Sequence, residues 1–95
     1  MAFDPEFKHN YFGAKIELDS RNRKLLLKRV FLGKSRIFDL NQVHSVRVAP
    51  DPGSNTTALH VTVKDLQDPD WAIYFLLSSS ANEWMSRLKV ACNIP

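Results

Sequence analysis

The stretch from Ser78 to Ile94 reads SSSANEWMSRLKVACNI and is the most helix-like part of the chain. Its apolar residues recur three and four positions apart, which places them on one face of a helix. These residues are Ala81, Trp84, Met85, Leu88, Ala91 and Cys92. Ser80, with Glu83 three residues later, is typical of a capping box, in which both side chains satisfy N–H groups of the first turn. We therefore expect a helix that begins near Ala81 and covers an apolar surface formed by the rest of the chain.

The sequence before this helix has the patterns of short strands separated by turns. Apolar and polar residues alternate most cleanly in residues 58–65, where Leu59, Val61 and Val63 share one face. Residues 71–77 are apolar on both faces, which is typical of a central or covered strand. The predicted strands span residues 14–18, 24–31, 36–40, 43–49, 58–65 and 71–77.

Short turns join the predicted strands, and the helix follows the last strand. The turns fall at residues 19–23, 32–35, 50–55 and 66–70, and most are rich in Asp, Asn, Ser, Gly or Pro. Hairpin-length connections favour antiparallel pairing. The sequence therefore predicts an α+β, mainly β fold: a curled antiparallel sheet or partly open barrel of six to seven strands, capped by one C-terminal helix.

The N-terminal residues carry aromatic side chains at a helical spacing. Phe3, Phe7 and Tyr11 are four positions apart, and Pro5 is tolerated in the first turn of a helix. We therefore expect residues 1–12 to be an N-terminal aromatic arm with a short amphipathic turn. Residues 13–95 are expected to form a single domain.

Length and composition exclude several classes of protein. A chain of 95 residues suits one small domain and leaves no room for a separate catalytic domain. The longest apolar run, Trp71 to Leu77, is far too short to span a bilayer. Residues 1–6 contain acids and a proline instead of the basic and apolar regions of a signal peptide, so we expect a cytoplasmic protein. Cys92 lies on the apolar face of the helix, which predicts a buried, unreactive thiol.

The sequence shows no constellation typical of an active site or a metal centre. His9, His44 and His60 lie in separate segments without the spacing of metal ligands. The three glycines are isolated, so there is no phosphate-binding loop. We therefore expect a non-catalytic protein with no cofactor and no metal.

The charge is unevenly distributed along the chain. Residues 1–49 hold ten Lys/Arg and five Asp/Glu, whereas residues 50–95 hold three and five. Seven basic residues and no acid lie between Arg21 and Arg36. This run predicts a local positive field, here called the basic patch.

The strand pattern resembles the pleckstrin-homology-like fold, and in particular small bacterial domains of that kind. The resemblance covers residues 13–94 and rests on Ile16–Asp19, Arg21–Lys24, Leu25–Leu27, Ile37–Val43 and the helix with Trp84 and Leu88. Members of this family have seven strands, whereas the patterns above predict six. Small domains of this type without catalytic residues are interaction modules in most cases. The resemblance therefore implies binding to a protein partner or self-association.

The resemblance also implies an alternative function, which is binding of an anionic ligand through the basic hairpin. Lipid-binding members hold anionic headgroups with basic residues between their first two strands, and Lys15, Arg21 and Arg23 match that pattern. Lys28 and Arg36 complete the predicted site, since guanidinium and ammonium groups hold phosphate oxygens. A lipid headgroup at an anionic membrane surface is favoured over nucleic acid, because stacking aromatic residues are scarce near these bases.

Overall fold

The alternating segments of the sequence form strands in the computed structural model, which describes residues 3–29, 35–53 and 55–95. The strands are β1 (Phe7–Tyr11), β2 (Ala14–Asp19), β3 (Lys24–Lys28), β4 (Ser35–Asp39), β5 (Val43–Pro50), β6 (Thr57–Val63) and β7 (Asp70–Phe75). A 3₁₀ helix, Leu40–Gln42, joins β4 to β5. The α-helix α1 (Ser78–Ala91) follows β7.

The seven strands of the described residues form two antiparallel sheets. The first sheet has the order β1-β2-β3-β4 and the second has the order β5-β6-β7. The two sheets do not join into one closed barrel by backbone pairing between the described strands. The predicted fold class, mainly β with a partly open sheet arrangement and one C-terminal helix, is confirmed.

The strand β1 occupies part of the predicted N-terminal arm. It pairs with β2 from Phe7 opposite Leu18 to Tyr11 opposite Ala14. The short amphipathic turn predicted here is wrong. One isolated helical turn is costly to nucleate, whereas a strand gains a hydrogen-bonded partner. The division of the chain at residue 12 into an arm and a domain stays a prediction.

The core lies between the inner faces of the two sheets and under α1. Inward residues alternate along each strand, as the period of two requires. The fully buried residues of the core include Ile16, Leu18, Leu25, Leu27, Leu59, Val61, Ile73, Phe75, Ala81 and Leu88. The helix packs against β5, β6 and β7, with Trp84 also buried. The helix therefore covers the second sheet with the apolar face that the sequence predicted.

The helix begins three residues earlier than predicted. Its first residue is Ser78, its N-cap is Leu77, and no side chain caps it. The N–H of Ala81 already donates to the Leu77 carbonyl at 3.2 Å, so Ser80 lies inside the first turn and is not an N-cap. The predicted start near Ala81, with Ser80 and Glu83 as a capping box, is therefore wrong.

Part of the predicted β3 and the turn after it lie outside the described residues. The described strand ends at Lys28, whereas the sequence pattern extends it to Phe31 and places a turn at Leu32–Ser35. Residues 30–34 are not described. None of the described helices combines the length and the apolar character that a membrane crossing requires.

Candidate functional site

The turn between β2 and β3, residues 20–23, is held by the buried carboxylate of Asp19. We call this turn, together with Asp19, Asp4 and Glu6, the clamped turn. Asp19 accepts the Asp4 N–H at 2.9 Å, the Asn22 N–H at 3.0 Å and the Asn22 side-chain amide at 2.7 Å. The N–H of Asp4 is the main reason why the pKa of Asp19 lies below its ordinary value of 3.8, and Asn22 adds to this. Asp19 is therefore a structural carboxylate of the turn.

Two further acids of the N-terminal segment bind the same turn. Glu6 accepts the Ser20 N–H at 2.7 Å and also the Ser20 hydroxyl. These bonds, first the one from the hydroxyl, lower the pKa of Glu6 below 4.5. The guanidinium of Arg21 lies 3.3 Å from the Asp4 carboxylate. The turn that the sequence assigned to anion binding is thus surrounded by the protein's own carboxylates.

The predicted anion-binding residues lie at two ends of the first sheet. Lys15 stands opposite Lys28 at one end of the β2–β3 hairpin, and Arg21 and Arg23 lie in the turn at the other end. Four strand residues, or roughly 13 Å, separate these ends. The Nζ of Lys28 donates to the Gly13 carbonyl at 3.2 Å. Because β1 precedes it, this hairpin is the second of the fold, not the first as the predicted pattern requires.

Arg36, the fifth predicted residue, connects β4 to the loop between β6 and β7. Its guanidinium lies 2.6 Å from the Asp65 carboxylate and packs over the Phe38 ring at 4.9 Å. The N–H of Gln67, followed by Arg36, holds the pKa of Asp65 below 3.8. Arg36 therefore has a partner inside the protein.

Several members of the basic patch have acidic partners from distant parts of the sequence. The pairs are Arg21 with Asp4, Lys24 with Asp39, Arg29 with Asp68, and Arg36 with Asp65. The local field predicted from the sequence is reduced accordingly. The five predicted residues do not converge on one place, and binding of an anionic ligand stays a prediction.

The sequence predicted a buried, unreactive thiol at Cys92 and no metal site. Cys92 is half buried, and its burial raises the pKa of the thiol. Within residues 3–29, 35–53 and 55–95, no three His, Cys, Asp or Glu side chains are grouped so that they could hold a metal ion.

A large groove lies on the outer face of β7, and we call it the β7 groove. Its volume is about 840 Å³. Four separate segments line it: the end of β1 with the residue after it, the residue after β3, three residues between β5 and β6, and β7 with the residue after it. The lining residues are Tyr11, Phe12, Arg29, Asp51, Asn55, Thr56, Asp70, Ala72, Tyr74 and Leu76.

The alternation of β7 explains why apolar side chains line this groove. Trp71 and Ile73 point into the core, so Ala72 and Tyr74 point outward. Leu76, just after the strand, is 62% exposed. The sequence predicted a central or covered strand; β7 is not central, because it is an edge strand of the second sheet.

Phe12 lines the β7 groove and has a backbone conformation that is rare for a residue with a large side chain. Phe12 and Gly13 both have positive φ angles, +51° and +86°, as in the tight two-residue turns that favour Asn-Gly. The left-handed conformation costs a residue with a side chain roughly 1–2 kcal/mol. Phe12 is nevertheless 80% exposed, and its ring meets the Tyr11 ring edge-on at 4.7 Å. A strained, exposed aromatic residue of this kind is typical of a functional position.

Side chains from the first sheet bind the backbone of β7 at both ends of the strand. Arg29 donates to the Asp70 carbonyl at 2.8 Å, and the Nε2–H of His9 donates to the Tyr74 carbonyl at 2.8 Å. The His9 ring also stacks on Phe75 at 3.8 Å. These contacts hold β7 against the first sheet.

Comparison with known proteins adds information about the fold. No protein-family model and no curated protein matches the sequence. A chain of the solved Spt16D–Pob3N heterodimer is similar in structure, with a TM-score of 0.64 and 11% sequence identity. The match covers 82% of this chain and 79% of that chain. It supports the pleckstrin-homology-like fold, and at this identity it shows the fold alone.

Proposed function

We propose that the chain is a non-catalytic interaction module that holds a protein partner in the β7 groove. The observation that carries the proposal is Phe12, an aromatic side chain kept exposed at a backbone position that disfavours it. Tyr11, Tyr74 and Leu76 extend the same surface. Exposed aromatic residues beside a polar rim are typical of protein-binding sites.

The fold comparison supports the same class of function. The similar solved chain belongs to a heterodimer, so a chain of this architecture occurs there in a protein complex. For the present chain, a protein partner is the proposal and self-association is the alternative occupant of the groove. The cytoplasmic location expected from the sequence stays a prediction.

Site-directed photocrosslinking tests this proposal. A photoreactive phenylalanine analogue is placed at position 12, inside the groove, and in a second protein at position 66. Leu66 is fully exposed but does not line the groove. We expect a protein adduct from position 12 that position 66 does not give. Equal adducts from both positions would contradict a partner in the groove.

A binding measurement with the purified partner completes the test. Phe12→Asn removes the ring and suits the left-handed turn, so the variant keeps its fold. We expect it to weaken the complex about tenfold, and Leu66→Ser to leave it unchanged. If light scattering instead shows that the wild-type chain dimerises and Phe12→Asn does not, the occupant is a second copy.

A further inference from the structure

We propose that the occupant of the β7 groove is a partner segment that places a lysine or arginine side chain among apolar neighbours. This inference rests on the proposed function and adds the chemistry of the partner. It is carried by the aromatic residues and the charged residues that line the groove.

The aromatic residues of the groove suit a cation. Tyr11, Phe12 and Tyr74 all line it, and the faces of such rings attract ammonium and guanidinium groups. The protein already makes this contact internally, since Arg87 lies over Phe7 at 3.9 Å and Arg29, which lines the groove, packs over Trp71 at 4.1 Å. A partner's basic side chain in the groove would repeat a contact that this protein makes internally.

The charges of the groove also favour a basic occupant. Asp70 is exposed, and its carboxylate accepts a hydrogen bond from the Thr62 hydroxyl at 3.1 Å, which is a neutral group. The positive charge of Arg29 is balanced by Asp68 at 3.0 Å. Asp51 adds a second carboxylate to the lining. A lysine or arginine of the partner therefore meets a complementary charge, whereas an acidic segment would meet Asp70.

The neighbouring histidine does not cancel this negative charge at neutral pH. His60 lies on β6 opposite Ala72. Burial, followed by the nearby Arg47, lowers the pKa of His60 below 6.5. His60 is therefore mainly neutral at pH 7 and adds no positive charge beside the groove, and Arg47 is not among the residues that line it.

Apolar residues must flank the cation in the partner. Leu76 and Ala72 line the groove beside Tyr74, and the volume of about 840 Å³ exceeds what one side chain fills. Leucine or tryptophan residues next to the basic residue would bury this surface. Charge then selects the partner, and the apolar contacts supply affinity.

The test uses the full chain and synthetic peptides as probes. Each short peptide carries one tryptophan and two leucines at fixed positions, and the members differ only in Lys, Arg, Ser or Glu between them. Binding is measured by amide chemical shifts of the labelled protein at several salt concentrations. We expect the Lys and Arg peptides to shift the amides of Phe12, Asp70 and Tyr74, and the Glu peptide to bind at least about threefold more weakly.

Two variants identify the counter-charge. Asp70→Asn is expected to weaken the Lys and Arg peptides about threefold and to flatten their salt dependence. Glu83→Gln removes an exposed carboxylate of α1 that does not line the groove, and it is expected to change neither.

The outcomes separate this inference from the proposed function. Ser or Glu peptides that bind the same amides as tightly as the Lys peptide overturn the basic occupant and leave the interaction module standing. The same holds if no peptide binds but the position-12 crosslink identifies a partner without a basic segment. Failure of the crosslinking test removes the proposed function itself.

Discussion

The clamped turn and the β7 groove show opposite relations between sequence and surface. The turn lies in a run of bases that the sequence marks as a binding site, yet Asp4, Glu6 and Asp19 occupy its hydrogen-bonding groups. The groove is assembled from four separate segments, and Phe12, one of its aromatic residues, is 80% exposed. The difference teaches that charge density along a chain is not charge density in space, because acids from distant segments can fold onto a basic run.

The largest expected effect concerns Trp84, whose ring meets Phe7 of β1 edge-on at 6.4 Å. The side chain is only 6% exposed, so Trp84→Ala removes a large buried aromatic group. We expect a loss of roughly 3–5 kcal/mol in the free energy of unfolding, measured by chemical denaturation. A loss under about 1 kcal/mol would mean that the helix is not docked on the second sheet.

The second largest effect is expected at low pH, because the clamped turn depends on ionised carboxylates. The folded protein lowers the pKa of Asp19 below 3.8 and of Glu6 below 4.5. Their stabilisation is therefore complete above these ordinary values and is lost as the pH falls through the lower folded values. We expect the melting temperature to fall as the pH drops below about 4.5, with a shallower fall in Asp19→Asn.

Asp65→Asn is the control for this acid transition, because it removes a carboxylate outside the clamped turn and should leave the response of that turn to acid unchanged. The pKa of Asp65 is also lowered, but this residue pairs with Arg36 far along the sequence from the turn. Hydrogen exchange at Ser20 and Asn22 reports on the turn directly. Protection of these amides that is independent of pH would contradict the role of Asp19.

A third, smaller effect is expected in the β7 groove, where strain and exposure coincide. Phe12→Asn relieves a left-handed backbone cost of roughly 1–2 kcal/mol and loses an exposed aromatic pair of roughly 0.5 kcal/mol. We expect a net stabilisation of roughly 0.5–1.5 kcal/mol, or a few degrees in melting temperature. The same variant should bind the partner more weakly. A destabilised Phe12→Asn would show that the ring serves the fold rather than binding.

The smallest effect is expected for Arg21→Glu combined with Arg23→Glu in sedimentation with anionic vesicles. Arg21 already pairs with Asp4, and Lys15 and Lys28 lie at the other end of the hairpin. We therefore expect the wild-type chain and the double variant to sediment alike. Strong sedimentation of the wild type that the variant loses would favour the anionic-ligand alternative over the groove.

The fold was predictable because it depends on local periodicity. The alternation of Leu59, Val61 and Val63 predicted β6, and the spacing of Trp84 and Leu88 predicted the buried face of α1. The segment Phe7–Tyr11 was misjudged because its aromatic spacing fits a helix and its pairing with β2 is a tertiary choice.

The groove was harder to predict because it depends on long-range placement. Tyr11 and Tyr74 are far apart in sequence, and no local pattern brings them to one surface. Two signals were nevertheless present. Residues 71–77 are apolar on both faces, and the dipeptide Phe12-Gly13 stands where tight turns prefer Asn-Gly.

The contacts of β1 have a consequence for the order of folding. His9 binds Tyr74, 65 positions later, and Phe7 meets Trp84 of α1. The hairpins β1–β2 and β2–β3 can form as soon as their strands have left the ribosome, since their contacts are local. The packing of β1 against both β7 and α1 must wait until α1 has been synthesised. The β7 groove is lined by residues from both β1 and β7, so it is among the last features of the molecule to form.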